Sequence, residues 1–281
     1  MKQKITGIFL GIGLLVGFVF LFPIRKPVLG SNAVEVPGAK VLDNRATVVV
    51  ELFTSEGCSS CPPADKLLSF LGTRQPVESV EIIPLSEHVD YWNRLGWTDP
   101  FSSPLFSERQ REYAESLRAE SYTPQMVVDG KSEFVGSDQN RALATIASEL
   151  NAPRATVSIR TVAPENDSRQ NSVSFSISVG DLSHLDLKGK AKMFLAVTED
   201  NLQSNVRGGE NSGRNLAHTA VVRVMKQVST FDIKPDARIQ AQTDVNISIA
   251  WKPKDLRAVV FLQHESTRRI FGSAVTAFPA L

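Results

Sequence analysis

The distribution of apolar positions changes along the chain and predicts two kinds of structure. Between residues 44 and 152, apolar runs typical of buried strands alternate with runs in which apolar positions recur at helical spacing. In chain order the pattern predicts a strand at 46–53, a helix at 64–71, a strand at 80–85, a helix at 105–117, a hairpin at 125–135 and a helix at 137–150. This strand-helix-strand-helix-strand-strand-helix order indicates an α/β domain.

After Pro153 the pattern consists of short strand-like runs with hardly any helical periodicity. The seven runs lie at 156–161, 173–179, 191–197, 220–224, 245–251, 258–263 and 271–277. Short strands separated by Asn, Asp, Gly and Pro predict an all-β sandwich. We therefore expect two domains, an α/β domain at 44–152 and a β-sandwich domain at 153–281.

The first 33 residues have the pattern of an export signal. A basic start precedes an almost wholly apolar run at 5–24, and Arg25 and Lys26 follow it. A signal peptide has an apolar core of roughly 7–15 residues, whereas a spanning helix needs about 20. We therefore expect either cleavage near Ala33 or retention of a single N-terminal membrane anchor. In both cases residues 34–43 are a linker and the rest of the chain is exported, periplasmic or secreted.

The composition is that of a folded protein and limits the classes of partner. The 281 residues are 42% hydrophobic and 22% charged, with a formal net charge of +1. These values are typical of a soluble globular chain. The sequence has no long block of like charge and no nucleic-acid-binding motif, so we do not expect nucleic acid as a partner.

The two cysteines of the chain lie between the first predicted strand and the first predicted helix. Cys58 and Cys61 flank Ser59-Ser60, and two prolines follow them. The unpaired N–H groups and the dipole of a helix N-terminus stabilise a thiolate. The position predicts a redox-active disulfide in which Cys58 is the nucleophile. Cys61, one turn deeper and more buried, is expected to resolve the mixed disulfide.

Two other interpretations of the cysteine pair are open. The first is a structural disulfide, although closing so small a loop contributes only about 2 kcal/mol to stability. The second is a copper-handling site, in which Cys58, Cys61 and His88 hold a soft ion. Two thiolates and one histidine fall short of the four ligands of a structural zinc site. We expect no cofactor other than the disulfide itself.

The first strand, the segment "CSSCP", the element order and "SYTPQMVVDG" resemble the thioredoxin fold. The resemblance implies that Thr123-Pro124 is a cis-proline dipeptide facing the cysteines. It also implies that Pro124 covers the disulfide and shapes a groove for an extended substrate segment. The expected partners are accordingly protein or peptide thiols and a second redox protein.

Longer blocks resemble an exported bacterial family described as a domain of unknown function, family 1223. The blocks are "VVVELFTSEGCSSCPPAD", "LSEHVDYWNRLGWTDPFSSPLFSERQREYA", "YTPQMVVDG" and "RGGENSGRNLAHTAVVR". The resemblance implies a thioredoxin-like domain in a periplasmic or secreted setting, and no settled substrate. The Ser-Ser dipeptide, the second proline after Cys61 and the long aromatic loop differ from ordinary thioredoxins. They leave the direction of the redox chemistry open.

Several residues of the α/β half are candidates for accessory roles. Glu51 is expected beneath the cysteines as a buried proton carrier, or alternatively as a partly solvated acid at a strand edge. His88 should lie at the same sheet end as Cys58, where it stabilises a thiolate, accepts a proton or bonds nearby backbone. Trp92, with Trp97, forms an apolar rim for a peptide or anchors its own loop.

In the second half, the loop "ENSGRNLAHTAVVR" leads into a strand. Arg214 and His218 face the redox cleft or a ligand, or they belong to a turn held by side-chain hydrogen bonds. The leading prediction is thiol–disulfide exchange with protein or peptide dithiols. The alternative is a non-catalytic thioredoxin-fold binding module in which the cysteine pair is merely oxidised.

Overall fold

The computed structural model of the protein describes residues 45–162, 171–180 and 182–279. The predicted signal or anchor segment at 1–33 and the predicted linker at 34–43 lie outside these residues. Within the described ranges, no helix has both the length and the apolar character needed to cross a membrane.

The first half contains four strands and three helices in the order that the sequence predicts. They are β1 (Ala46–Thr54), α1 (Pro62–Arg74), β2 (Val80–His88), α2 (Pro104–Leu117), β3 (Gln125–Val128), β4 (Ser132–Val135) and α3 (Gln139–Ser148). A short 3-10 helix, Asn93–Leu95, lies between β2 and α2. Prolines fix where two helices begin, since a proline in the first turn lacks only an N–H that has no helical acceptor.

The described residues of the second half contain nine strands, with one further 3-10 helix at Pro253–Asp255. The strands are β5 (Val157–Val162), β6 (Ser172–Val179), β7 (Lys190–Glu199), β8 (Leu202–Asn205), β9 (Asn215–His218), β10 (Val221–Asp232), β11 (Ile239–Asn246), β12 (Leu256–His264) and β13 (Ile270–Ala277). The all-β character predicted for this half is therefore present in the described residues.

Strands from both halves form one eight-stranded mixed sheet, in the order β13-β12-β7-β10-β2-β1-β3-β4. β1 runs parallel to β2 and antiparallel to β3. The two halves meet where β10 runs parallel to β2, with Val221 opposite Ser86. The sheet thus continues across the boundary predicted at 152–153, and the described residues of both halves form one compact unit.

The structure does not confirm the expected α/β domain followed by a separate β-sandwich domain. The structure is a mixed α/β unit with one large sheet and few helices. A three-stranded sheet, β11-β6-β5, packs on the part of the large sheet formed by the second half. One layer of the expected sandwich is therefore an extension of the first half's sheet. Local strand patterns do not show this, because they do not specify which distant strand a segment pairs with.

The strand β1 has a separate core on each of its two faces. Val48, Val50 and Leu52 pack under α1 and α3, in a cluster that includes Leu68 and Ile146. On the opposite face, Val49 belongs to a cluster that joins the two halves. Its other buried members are Ile83, Leu85, Phe106, Ala196, Val222, Val259, Phe261 and Ile270. Each large apolar side chain buried this way contributes roughly 1.5–3 kcal/mol relative to exposure.

Candidate redox site

The cysteine pair lies in the turn that joins β1 to α1. Cys58 and Cys61 form a disulfide with a Cα–Cα distance of 5.5 Å. The Cys58 N–H donates to the Ser55 carbonyl at 3.2 Å, and the Cys61 N–H donates to the Cys58 carbonyl at 3.2 Å. Two consecutive tight turns therefore hold the pair where the buried strand passes into the helix N-terminus.

Neither cysteine is accessible to solvent in this conformation. Both have 0% of their surface exposed, whereas Ser59 and Ser60 between them are exposed. The sequence-based expectation that Cys61 is the more buried of the two is therefore corrected: the structure buries them equally. The prediction missed a segment of the second half that lies against the cysteine turn.

That segment is residues 206–214, here called the cover loop, which joins β8 to β9. The side-chain amide of Asn211 is fully buried and donates to the carbonyl oxygens of Glu56 and Cys58, each at 2.9 Å. An asparagine amide has two N–H groups, so both bonds are satisfied at once. Oε2 of Glu210 accepts the N–H of Ser59 at 2.9 Å. The cover loop thus bonds main-chain groups on both sides of Cys58.

Arg214 and His218, the two candidates from the second half, both contact this arrangement. Arg214 donates from Nη1 to Oδ1 of Asn211 at 3.0 Å, which orients the asparagine amide with its N–H groups toward the cysteine turn. His218 is the last residue of β9, and its Nε2 lies 2.9 Å from Oε1 of Glu56. A purely local turn does not describe His218, because its partner is 162 residues away in the chain.

Glu56 is a buried carboxylate two residues before Cys58, and polar groups surround it. Its second oxygen, Oε2, accepts the indole N–H of Trp97 at 2.7 Å. Its main-chain N–H donates to Oδ2 of Asp99 at 2.8 Å. Trp97 therefore anchors its loop to the redox turn by a hydrogen bond, which favours the loop-anchoring interpretation of this residue.

His88 lies at the sheet end that carries the cysteines, as predicted. It pairs with Thr54, the last residue of β1, and its Nδ1 lies 2.7 Å from Oδ2 of Asp99. Burial alone lowers the pKa of His88, but the charge and hydrogen bond of Asp99, with the charge of Asp65, outweigh burial and raise it. The same contact, with main-chain hydrogen bonds, keeps the pKa of Asp99 below its usual value despite burial. The protonated form of His88 is therefore favoured, and in that form His88 makes a buried ion pair with Asp99.

The second ring nitrogen of His88 has a different environment. Among the described residues, His88 Nε2 and His218 Nδ1 are both buried without a hydrogen-bond partner. The two imidazole rings lie 5.0 Å apart between centroids, and Phe101 packs edge-on against both. The two rings thus form a compact group at the end of the sheet that carries the cysteines.

Asp65 adds a third acidic group, from the first turn of α1. Its Oδ1 accepts the hydroxyl of Thr54 at 2.8 Å, and its N–H donates to the Cys61 carbonyl at 3.1 Å. Burial raises the pKa of Asp65, while the charges of His88 and His218 oppose that rise. The carboxyl group is therefore held more readily in its neutral form than an exposed aspartic acid.

The bond between Thr123 and Pro124 is cis, as the thioredoxin resemblance implies. Pro124 and Ala64, from the first turn of α1, both lie close to Gly136: a Cβ at that glycine would approach their Cβ atoms to 3.2 and 3.1 Å. Pro124 is therefore beside the helix turn that follows Cys61.

Trp92 links this proline segment to the cysteine turn. Its indole N–H donates to the Thr123 hydroxyl at 2.8 Å, and its Cβ would lie 3.2 Å from a Cβ at Gly57. The half-buried ring therefore spans from the residue before Cys58 to the residue before Pro124. The indole hydrogen bond shows that the ring anchors its loop, and the role as an apolar rim for a peptide stays a prediction.

Glu51 does not lie where the sequence-based expectation places it. It is fully buried, but on the face of β1 that packs against α2, whereas α1 covers the opposite face. Its carboxylate accepts from Arg109 Nε at 2.6 Å and from the Tyr113 hydroxyl at 2.5 Å. Because β-strand side chains alternate between faces, Glu51 points away from the α1 side. It belongs to a buried ion network and not to the surroundings of the cysteines.

Glu87 completes this network. Burial raises its pKa well above the usual value, the charge of Glu51 adds to the rise, and Arg109 opposes it. Arg109 is also held against the rings of Phe194 and Phe261 from the second half, at 5.4 and 5.1 Å from their centroids. The network therefore ties the α/β half to β7 and β12.

Comparison with known families agrees with the resemblance to family 1223 noted in the sequence. A family model described as a protein of unknown function (DUF1223) matches residues 49–263. The chain belongs to this family. A protein of Agrobacterium tumefaciens, solved by X-ray crystallography in a structural genomics programme, is 27% identical with a TM-score of 0.63. That match covers 84% of this chain and 96% of the other.

A more distant similarity extends to HBP35 of Porphyromonas gingivalis. The two chains are 14% identical with a TM-score of 0.57, over 83% of this chain and 76% of that one. At this level of identity the comparison shows a shared fold alone. No curated protein matches the chain.

In this DUF1223 chain, the three residues of the copper interpretation have other partners. Cys58 and Cys61 are joined by their disulfide, and Nδ1 of His88 lies 2.7 Å from Oδ2 of Asp99. Across the part of the chain that the structure describes, no group of three or more His, Cys, Asp and Glu residues is arranged to hold a metal ion. Of the two ring nitrogens of His88, Nε2 is the one without a hydrogen-bond partner among the described residues.

Sequence reasoning missed several residues of the site, among them Glu56, Asp99 and Asn211. The first lies in "TSEGC" next to the cysteines, where an acid directly before a reactive turn is a usable signal. Asn211 gave no such signal, because its partners are more than 150 residues away in the chain. The fold brings its loop to the cysteines where the two halves meet, at the pairing of β10 with β2.

Proposed function

We propose that this chain is an exported thiol–disulfide oxidoreductase of thioredoxin-like fold that acts on protein or peptide dithiols. One combination carries the proposal: a disulfide between a buried strand and a helix N-terminus, with a cis-proline beside that helix's first turn. The strand order β2-β1-β3-β4, with β1 parallel to β2 and antiparallel to β3, supports the thioredoxin-like assignment. A purely structural disulfide requires neither a helix N-terminus nor a neighbouring cis-proline.

In the proposed reaction a client thiolate attacks Sγ of Cys58. The Cys58–Cys61 bond breaks, and its electron pair leaves with Cys61, which takes up a proton. The second client thiolate then attacks the client sulfur of the mixed disulfide and releases Cys58. The client is oxidised to a disulfide while the protein becomes a dithiol, and the reverse sequence reduces a client disulfide.

The ionisable groups near the turn are suited to the proton that this reaction moves. Asp65 lies on the helix turn after Cys61 and has a raised pKa, so it holds a proton more readily than an exposed acid. The His88–Asp99 ion pair places a buried positive charge at the same sheet end. We propose that these groups stabilise the thiolate that forms when the disulfide opens.

The proposed setting is outside the cytosol. The apolar run at 5–24 and the oxidised cysteine pair support it, since disulfides persist in oxidising compartments. A second redox protein is then needed to restore the starting state of the cysteines after each turnover.

A redox-buffer assay tests the proposal in both directions. A two-cysteine polypeptide is followed by mass spectrometry in a glutathione buffer, starting once from its dithiol and once from its disulfide. The wild-type protein should speed the approach to equilibrium from both sides, and Cys58→Ser should not. A wild-type protein that accelerates neither direction contradicts the proposal.

A non-catalytic binding module is the second candidate, and one observation favours it. Both cysteines are fully buried beneath polar contacts with the cover loop. In that case the disulfide fixes the shape of a partner-binding surface. The two candidates differ in the assay above, because a binding module leaves the equilibration rate of the polypeptide unchanged.

A further inference from the structure

The cover loop bonds main-chain groups of the turn that carries Cys58. Asn211 donates to the carbonyl oxygens of Glu56 and Cys58, and Glu210 accepts the N–H of Ser59. These are the backbone groups on either side of the sulfur that is attacked. A side-chain amide and a carboxylate oxygen offer the donor and acceptor that a peptide bond offers.

Glycines allow the cover loop to lie directly against the first half. A Cβ at Gly208 would come within 2.3 Å of the Gly96 carbonyl oxygen. Gly209 has a φ of +68°, and a Cβ there would lie 3.8 Å from Cα of Gly57. With any larger residue at position 208, the two backbones could not keep this distance.

We propose that the cover loop is a built-in substitute for a client polypeptide, and that Asn211 is the positioning residue that holds it closed. The inference rests on the proposed thiol–disulfide exchange. Small thiols have no peptide groups with which to replace the bonds of Asn211 and Glu210, so they reach Cys58 only when the loop opens by itself. An extended polypeptide supplies those bonds as it displaces the loop. The cover therefore selects flexible polypeptide thiols over small ones.

The closing experiment measures how fast dithiothreitol reduces the disulfide of the full exported chain. One dithiothreitol thiolate attacks Sγ of Cys58 and Cys61 leaves with the electron pair and a proton. The second thiolate then releases Cys58 and forms cyclic oxidised dithiothreitol. Asn211→Ala should raise this rate about tenfold or more, because the closed state loses two buried hydrogen bonds. Asn215→Ala, at an exposed position of β9, is the matched control and should leave the rate unchanged.

A second arm replaces dithiothreitol by an unfolded polypeptide with two reduced cysteines. Asn211→Ala should raise this rate by a clearly smaller factor than with dithiothreitol, because the polypeptide opens the cover itself. The inference is overturned if Asn211→Ala and wild type react with dithiothreitol at the same rate. Equal factors for both reagents overturn it as well, since the loop then does not discriminate.

A surface variant guards against a folding defect in Asn211→Ala. Glu210 is exposed, so Glu210→Gln should fold normally while it weakens the bond to Ser59. It should accelerate reduction by dithiothreitol to a smaller extent than Asn211→Ala, and a rate equal to wild type counts against the inference. The redox-buffer assay separates the two proposals. A protein that catalyses there but shows no effect of Asn211 or Glu210 has the proposed function without a cover.

Discussion

At Asp99, one carboxylate holds three segments of the site together. Oδ2 receives the Glu56 N–H and faces Nδ1 of His88, and Oδ1 accepts the N–H of Phe101 at 2.9 Å. The raised pKa of His88 means that its imidazole binds a proton more tightly in the folded protein than in the unfolded chain. The His88–Asp99 pairing therefore contributes its full stability to the fold below the unfolded-state histidine pKa of about 6.5. This contribution is lost as pH rises through the raised pKa of His88 in the folded protein.

Asp99→Asn should remove that pH dependence. At pH 6 we expect the variant to lose about 1.5–3 kcal/mol of unfolding free energy, because a hydrogen bond to a charged group becomes a neutral one. The difference from wild type should shrink as pH rises above neutrality. Urea unfolding at several pH values between 6 and 9 measures it, and a difference that stays constant with pH contradicts the assignment of a charged His88.

A second prediction concerns Arg109, the buried cation that faces Glu51 and Glu87. Arg109→Met should cost about 3–5 kcal/mol of unfolding free energy, because it leaves the buried carboxylate of Glu51 without its counter-charge. Arg111→Ala is the matched control on the same helix. Its pair with Glu108 is exposed, so its loss should cost less than about 1 kcal/mol. Equal effects of the two substitutions in chemical denaturation would show that the buried network is not held by this charge.

Among the secondary-structure elements, the contact of α1, β1 and the Pro124 segment depends on Gly136. A Cβ there would come within 2.7 Å of Leu52 Cδ1, in addition to its contacts with Ala64 and Pro124. Gly136→Ala should therefore cost about 1–3 kcal/mol through overpacking. Gly180→Ala is the control, because its Cβ would meet neighbours only at ordinary contact distances of 3.4 Å and beyond. Thermal unfolding of both variants measures the difference, and equal midpoints contradict this packing.

The sequence specifies these elements better than it specifies their partners. The apolar pattern predicts the strands and helices of the first half, and the thioredoxin resemblance implies the cis bond before Pro124. Glu51 was misplaced because alternation along a strand gives two faces without saying which one carries α1. The cover loop escaped prediction because its partners depend on one parallel contact, Val221 beside Ser86, between strands far apart in the chain.

For the whole molecule, the shared sheet and the shared core predict one cooperative unfolding unit. Val49 and Phe106 of the first half pack in the same cluster as Val259 and Phe261 of the second. A fragment of residues 44–152 would expose this cluster, so we expect it not to fold alone. For the intact protein, urea transitions followed by circular dichroism and by tryptophan fluorescence should coincide. Two separate transitions, or a stably folded 44–152 fragment, contradict this view.

The most direct test of the account is a trap at Cys58. In Cys61→Ala, Cys58 keeps its thiol but loses the residue that resolves a mixed disulfide. Incubation with an oxidised two-cysteine polypeptide should give a covalent adduct of one protein and one polypeptide, visible as an intact mass and lost on reduction. The double variant Cys58→Ala/Cys61→Ala should give none. If Cys61→Ala forms no adduct while its Cys58 thiol still reacts with iodoacetamide, the proposed exchange chemistry is wrong.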